Sequence, residues 1–280
     1  MFLFKNRTLL IATKHKKEQV LAPLLERALA VHCIPLTQFD TDSLGTFSGE
    51  IEREDDPLTT LRNKCMLAAK SHGVDLVVGT EGSFGPHPVY GWLPAHDELV
   101  MLLDLKNNIE IFAREMSTQT NYGGTTVSTY DELFAFAKGK GFPEHALIIK
   151  DKAQEFSQCI KGIQQENELL AAFEKTKKYH QNVWVETDMR AHLNPTRMKV
   201  IEQAAGKLIN HIQSECPQCK RPGFVVKKVI AGLPCSVCGT PTESIKSELK
   251  VCDGCNYEEE LMYPKNKTTE DPMYCLVCNP

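Results

Sequence analysis

Eight of the chain's 11 cysteines fall between Cys216 and Cys278, and all eight stand in Cys-x-x-Cys pairs. The pairs are Cys216/Cys219, Cys235/Cys238, Cys252/Cys255 and Cys275/Cys278. Each such turn points two thiolates at one ion, and two turns complete a tetrahedral four-sulfur site that suits zinc. Eight ligands therefore predict two zinc ions. A sequential assignment joins the first two pairs and the last two. A nested one joins Cys235/Cys238 with Cys252/Cys255, and Cys216/Cys219 with Cys275/Cys278. Four thiolates close the coordination sphere, so both ions are expected to hold a fold and not to catalyse. FVVKKVI (224–230) and EEELM (258–262) read as short ribbon strands. With so little apolar material in this region, metal binding is expected to supply most of its folding energy.

The remaining cysteines, Cys33, Cys65 and Cys159, are isolated. The opening MFLFKNRTLLIAT is broken by Lys5 and Arg7, too short for a signal-peptide core, so a cytoplasmic protein with reduced thiols is expected. No run of about 18 apolar residues exists, so no membrane span is expected. At 280 residues, 42% hydrophobic and 24% charged, the chain suits one large domain with an attached module. The net charge is −4, and the cysteine-rich tail carries Lys and Glu in near balance. A phosphate-backbone-binding face needs a basic excess, so nucleic acid is disfavoured as a partner. Nothing in the sequence sets the oligomeric state.

Before the tail, strand and helix patterns alternate. RTLLIAT (7–13), VHCIPL (31–36) and DLVVGT (75–80) read as strands. Between them, apolar residues recur at helical spacing over 20–29 and 58–69, the second stretch running from Pro57 to Gly73. ELVMLLDL and NIEIFAREM flank a KNN turn and predict an antiparallel pair. Thr129 and Glu132 form a capping-box pattern, and Asn194-Pro195 is a helix start. The prediction is an α/β domain with a mixed sheet over residues 1–150. A helical connector over 151–213 completes it, and a double zinc-ribbon-like module occupies 214–280.

Four features in the first domain suggest chemistry. A strand ending in Thr13 runs into Lys14, His15, Lys16 and Lys17 at a helix start, where cations and free backbone N–H groups favour anions. An acidic segment follows, with Glu50, Glu52, Glu54, Asp55 and Asp56. Next comes Leu61-Arg62-Asn63-Lys64, and then Asp75 leads a strand into Glu81. Carboxylates at strand ends are hard ligands for Mg²⁺ or Mn²⁺. Glu81, Asp56 and Asp75 are the candidate catalytic residues. Thr13, Lys14, His15, Lys17, Arg62 and Asn63 are candidates for holding a phosphorylated small molecule. A second cluster, DMRAHLNPTR (188–197), supplies Arg190, His192 and Arg197, which suit phosphate or carboxylate recognition. His87 between two prolines, and His96 with Asp97, read as loop residues.

This order resembles the house-cleaning nucleotide pyrophosphatases of the inosine/xanthosine triphosphatase type. Those open with a strand and an Ala-Thr-x-Asn-x-x-Lys turn, continue through an acidic residue and an Ala-Arg-Asn-Arg helix, and reach an Asp-led strand ending in Glu. The resemblance covers residues 8–85, with His15 where Asn is expected and Glu18 where Lys is expected. It implies a Mg-dependent hydrolase of nucleotides or another phosphorylated small molecule. EGSFGPHP, ETDMRAHLNPTRM and the closing CNP are similar to an uncharacterised bacterial domain family of unknown function. The alternative function is a non-catalytic, zinc-stabilised binding module for a nucleic acid or protein.

Overall fold

The computed structural model describes residues 3–36, 55–153 and 159–280. They form two compact units, 1–209 and 210–280. The acidic residues Glu50, Glu52 and Glu54 lie outside the described residues.

In the first unit, the apolar run TLLIA becomes β1 (Thr8–Ala12), buried from Leu9 onward as parallel strands between helices are. Helix α1 (Glu18–Leu29) buries Leu21, Leu25 and Leu29 along one stripe. β2 (His32–Pro35) follows. Helix α2 (Pro57–His72) starts at Asp56, with proline in its first turn, and stops at left-handed Gly73. β3 (Leu76–Pro86), β4 (Pro94–Asp104) and β5 (Ile109–Ser117) complete a sheet of order β2-β1-β3-β4-β5. β2, β1 and β3 run parallel, while β3, β4 and β5 are antiparallel. The glycine-rich EGSFG is thus mid-strand and not a turn.

From the ends of β1 and β3 the chain departs in opposite directions, toward β2 and toward β4. Ligands in open α/β sheets bind at the carboxyl ends of strands where connections diverge in this way. β3 pairs with β1 only over Val77–Gly79, yet with β4 over its whole length. The strand pairing therefore has a notch past Ala12, where Thr80 and the residues after it have no β1 residue opposite.

A second sheet in the same unit comprises β6 (Gly124–Val127), β7 (Leu147–Lys150), β8 (Cys159–Ile163) and β9 (Val183–Thr187), in the order β6-β9-β7-β8. All its pairings are antiparallel. Helices α3 (Tyr130–Gly139) and α4 (Glu166–Lys177) contribute Leu133, Leu169 and Phe173 to a core with Leu147, Ile149 and Val185. The Thr129–Glu132 capping box is present. The segment 151–213, expected as a helical connector, thus holds two strands of this sheet as well as α4. After β9 come a short 3₁₀ turn (Ala191–Leu193) and α5 (Pro195–Gln213).

The second unit is built on an antiparallel sheet of β10 (Val225–Ala231), β11 (Ile245–Val251) and β12 (Glu258–Met262). Among the described residues, no helix is long and apolar enough to cross a membrane.

Candidate functional site

The notch beside β1 opens on a buried charge cluster centred on Glu98 of β4. Residues directly opposite in an antiparallel pair share a face. Gly82 faces Glu98 and Phe84 faces His96, so the face beyond Thr80 gathers these side chains. Lys17 Nζ donates to Thr80 Oγ1 at 2.5 Å and to Glu98 Oε1 at 3.1 Å. His96 Nε2 lies 2.8 Å from Glu98 Oε2, and Arg197 Nη2 donates to the same oxygen at 3.4 Å. All four of Lys17, His96, Glu98 and Arg197 are buried. A Cβ on Gly82 would meet Glu98 Oε2 and lie 2.8 Å from Arg197 Nη2, so a side chain there would have to push both charged ends aside.

The positioning is local in origin. Asn194 accepts from Arg197 N through Oδ1 at 3.0 Å, which caps α5 and sets Arg197 one turn in. Arg197 Nη1 then donates to Met189 O at 2.5 Å, and its guanidinium lies 5.4 Å from the Phe84 ring. Phe84 stacks on His96 at 4.4 Å and on Tyr122 at 5.6 Å. At the other wall, α1 begins at Lys17 with no side-chain cap. Its first backbone N–H groups are left without helical partners. His15 and Lys16 both take positive φ (66° and 59°), which turns the chain back so that Lys17 enters the cluster.

Burial and partners set the charges. Burial draws the Lys17 ammonium down to about 8; Glu98 opposes this, and Arg197 and Lys64 add to it. Burial alone would raise Glu98, but Lys17, Arg197 and His96 overcome it and hold the carboxyl well below its usual range. Burial lowers the His96 pKa, against the pull of Glu98. Glu81 lies opposite Leu99, which belongs to the core under α2, and so leaves the sheet on the other face. There it pairs with Lys64, which also donates to Thr80 O at 3.1 Å. Lys17 senses both groups, because β1 ends before it can screen them. Among the described residues, Lys17 and Arg197 thus meet Glu98 on one face, and Lys64 meets Glu81 on the other.

Two buried atoms at this notch, Thr13 Oγ1 and His192 Nδ1, meet no hydrogen-bond partner among the described residues. His192 stacks on His15 at 5.3 Å, joining the β1–α1 turn to the 3₁₀ turn. Burial lowers the His192 pKa first, and then Arg190 and Lys16 do, with Asp188 opposing.

The other candidates have local duties. Asp56 caps α2, accepting from Leu58 N (2.9 Å), Thr59 N (3.2 Å) and Thr59 Oγ1 (2.6 Å). Asp75 pairs with Arg7 at the far end of β3. Arg62 binds Glu110 through two bonds, and Asn63 donates to Asp55 at 3.3 Å. Arg190 closes on Asp188. Lys14 is half-buried beside His15. Asp56, Asp75 and Glu81 do not gather. The cluster brings together Lys17, Arg197 and, across the sheet, Glu81. Glu98 and Thr80 carry no role in the sequence reading, Lys64 enters it only within the Leu61-Arg62-Asn63-Lys64 motif, and His96, which reads there as a loop residue, lies within β4 and is buried. Their signal is the alternation HxE on β4, which puts His96 and Glu98 on one face. His87 does hold a loop, accepting from Val89 N and Tyr90 N through Nδ1 at 3.1 Å each.

In the second unit, the cysteines assemble as Cys216/Cys219/Cys252/Cys255 and Cys235/Cys238/Cys275/Cys278. The first pair joins the third and the second joins the fourth. This crossed pairing replaces both the sequential and the nested expectation. Pair contacts run at 3.5 and 3.7 Å in one quartet and 3.6 and 3.9 Å in the other. A tetrahedron with metal–sulfur bonds of about 2.3 Å has sulfurs about 3.8 Å apart, so each quartet has room for one ion, while a disulfide would need about 2.05 Å. Each knuckle is closed by the same backbone bond, the residue after the second cysteine donating to the first cysteine's carbonyl: Lys220, Gly239, Asn256 and Asn279. Two cysteines in each quartet are buried and two exposed. Apolar support is slight: Phe224 and Tyr257 pack with Cys216 and Cys252. Among the described residues, these quartets are the only groups of three or more Cys, His, Asp or Glu that converge within 4.8 Å.

No curated protein matches the chain. Among solved structures, the crystal structure of protein VC0702 from Vibrio cholerae matches at 10% identity and a TM-score of 0.33, covering 73% of this chain and 94% of that one. A likeness at that level carries no argument about fold or function. The model of the family "Domain of unknown function (DUF6671)" matches residues 64–280, a range that includes Lys64, Glu81, Glu98, Arg197 and all eight paired cysteines, and the chain belongs to that family.

Proposed function

We propose that the first unit binds a phosphorylated small molecule in the notch at the end of β1, and that the second is held together by two structural zinc ions. The single observation behind the first reading is a buried site with a cation excess and unmet polar atoms. Among the described residues, Lys17, Lys64 and Arg197 outnumber Glu81 and Glu98, and Thr13 Oγ1 and His192 Nδ1 lack partners. Buried polar atoms in folded proteins are nearly always bonded, so orphaned ones mark where a further group belongs. A phosphate fits the chemistry: Lys17 and Arg197 supply charge, and the Thr13 hydroxyl and the first amides of α1 supply donors. Glu98 would hold the two cations in place before the anion arrives.

The zinc assignment rests on the all-sulfur donor set and the spacing between sulfurs. Metal analysis of the purified chain should return two zinc ions per polypeptide.

Titration with inorganic phosphate, pyrophosphate and a panel of nucleoside triphosphates, read by calorimetry, tests the anion site. Binding should weaken at least about tenfold in Lys17→Met, the loss of one charge-assisted contact. Equal binding by wild type and Lys17→Met would remove the notch as the site. Turnover is the stronger form of the proposal. Phosphate or pyrophosphate release that requires Mg²⁺ and is lost in Glu81→Gln would establish it, whereas binding without release would leave a binding protein.

A further inference from the structure

Arg197 stands in the first turn of α5, which Asn194 caps, and the Asn194 amide is itself held by a residue 73 positions away. That residue, Asn121, lies in the connection between β5 and β6. Its Nδ2 donates to Lys140 O at 3.0 Å, and its Oδ1 accepts from Asn194 Nδ2 at 2.9 Å. Asn194 Oδ1 in turn accepts from Arg197 N. The other acceptors near Asn194 Nδ2, Met189 Sδ at 3.4 Å and Asp188 O at 3.5 Å, lie at the limit of bonding distance. Asn194 is fully buried, so an amide turned the wrong way would leave its groups unmet.

We propose that Asn121 is a positioning residue of the anion site: it fixes which way the Asn194 amide points and, through that cap, where Arg197 stands. The inference rests on the notch reading above. An amide has a donor end and an acceptor end, so a chain of two amides has a direction. Lys140 is the C-cap of α3, and its carbonyl can only accept. Nδ2 of Asn121 must therefore face it, and Oδ1 must face Asn194. Asn194 then has to present Nδ2 to Asn121, which leaves Oδ1 for Arg197 N. Turning either amide over would set oxygen against oxygen or N–H against N–H. One carbonyl at the end of α3 thus sets the direction of the whole chain. The neighbouring residue acts on the same arginine at its charged end: Tyr122 stacks on Phe84, whose ring lies 5.4 Å from the Arg197 guanidinium. Asn121 carries no charge, so replacing it by an apolar residue leaves the net charge of the notch as it was.

The test is calorimetric titration of the full chain with pyrophosphate. Asn121→Leu, close in size, should weaken binding about three- to tenfold, within the range for members of one hydrogen-bond network. Asn194→Ser supplies a hydroxyl that caps a helix without an orienting partner. In that background Asn121→Leu should add less than about twofold. The pH profile separates positioning from a general loss of stability. Burial lowers the Lys17 ammonium, and Arg197 and Lys64 lower it further, against Glu98 and Glu81. His96, beside Glu98 on β4, also senses Lys17. None of these residues changes in Asn121→Leu. With Arg197 displaced, Lys17 should keep its proton to higher pH, so the fall in affinity expected near 8 should move upward from its wild-type position. No binding by the wild type removes the notch reading and this inference with it. Equal binding by wild type and Asn121→Leu overturns the inference alone. So does an Asn121→Leu effect that is undiminished beside Asn194→Ser, and so does weakened binding with an unmoved pH profile. If Asn121→Leu does not fold, Asn121→Ser takes its place with the same expected directions.

Discussion

The two units solve the problem of holding polar atoms together in opposite ways. In the first, charges are buried and neutralise one another: Glu98 is ringed by Lys17, His96 and Arg197, and two sheets supply the apolar mass that keeps water out. In the second, the apolar mass is a few side chains, and the sulfurs converge where an ion could replace it. The contrast teaches where each unit is vulnerable. One depends on every partner in a ring of charges; the other, on the proposed zinc reading, depends on a component that can be withdrawn.

Withdrawing that component should give the largest effect. Structural zinc in small domains contributes about 10–16 kcal/mol of apparent folding energy. A strong chelator under reducing conditions should therefore abolish amide protection across β10, β11 and β12. Protection of β1, β3 and β4 should remain. Simultaneous loss in both units, read by hydrogen exchange, would erase the distinction drawn above.

Next in size is Glu98→Gln. Removing one member of a buried ion cluster strands the others, at a cost of about 3–5 kcal/mol. Denaturant unfolding of the first unit should shift accordingly, with the metal content of the second unit unchanged. Adding Lys17→Met to Glu98→Gln should recover part of the loss, because one stranded charge is gone; strict additivity would mean that the two residues do not work as a pair.

Gly82→Ala should cost about 1–3 kcal/mol, the range for forcing extra volume into a packed site. It should also weaken anion binding, since its methyl would push Glu98 from Arg197.

The last effect is the pH dependence of Lys17, spread over a wide window, because its folded value of about 8 lies below the ordinary 10.5. Between these values the unfolded chain holds a proton that the folded chain has released, so stability from this group rises with pH from about 8 to 10.5. Anion affinity should run the other way, falling as pH passes about 8 and the ammonium is lost. Opposite slopes in the same window, by denaturant unfolding and by titration, would identify Lys17. Parallel slopes would assign the pH dependence to another group.

What the sequence made legible was mostly local. The capping box at Thr129, the Asn194-Pro195 start and the KNN hairpin are rules of short range, and they hold in the structure. The eight cysteines were legible as ligands because CxxC spacing encodes the geometry of two sulfurs. Their pairing was not, because sequential, nested and crossed arrangements use identical motifs. Long-range burial was also hidden. Lys14, Lys16 and Lys17 look alike in a row, yet only Lys17 is buried, because the left-handed turn at His15 and Lys16 redirects it. Glu98 read as a polar residue opening an apolar strand. Its partners lie 81 and 99 positions away at Lys17 and Arg197, beyond the reach of any local pattern.

The crossed cysteine pairing also bears on time. A ribosome makes the chain from its first residue, so ligands appear in numerical order. Under sequential pairing a complete site would exist once Cys238 had emerged. Under the crossed arrangement the first quartet waits for Cys255 and the second for Cys278, and the thiols of Cys235 and Cys238 stand idle while the first closes around them. Neither quartet can be complete until most of the module is already present. The module's assembly is therefore a late and nearly simultaneous event.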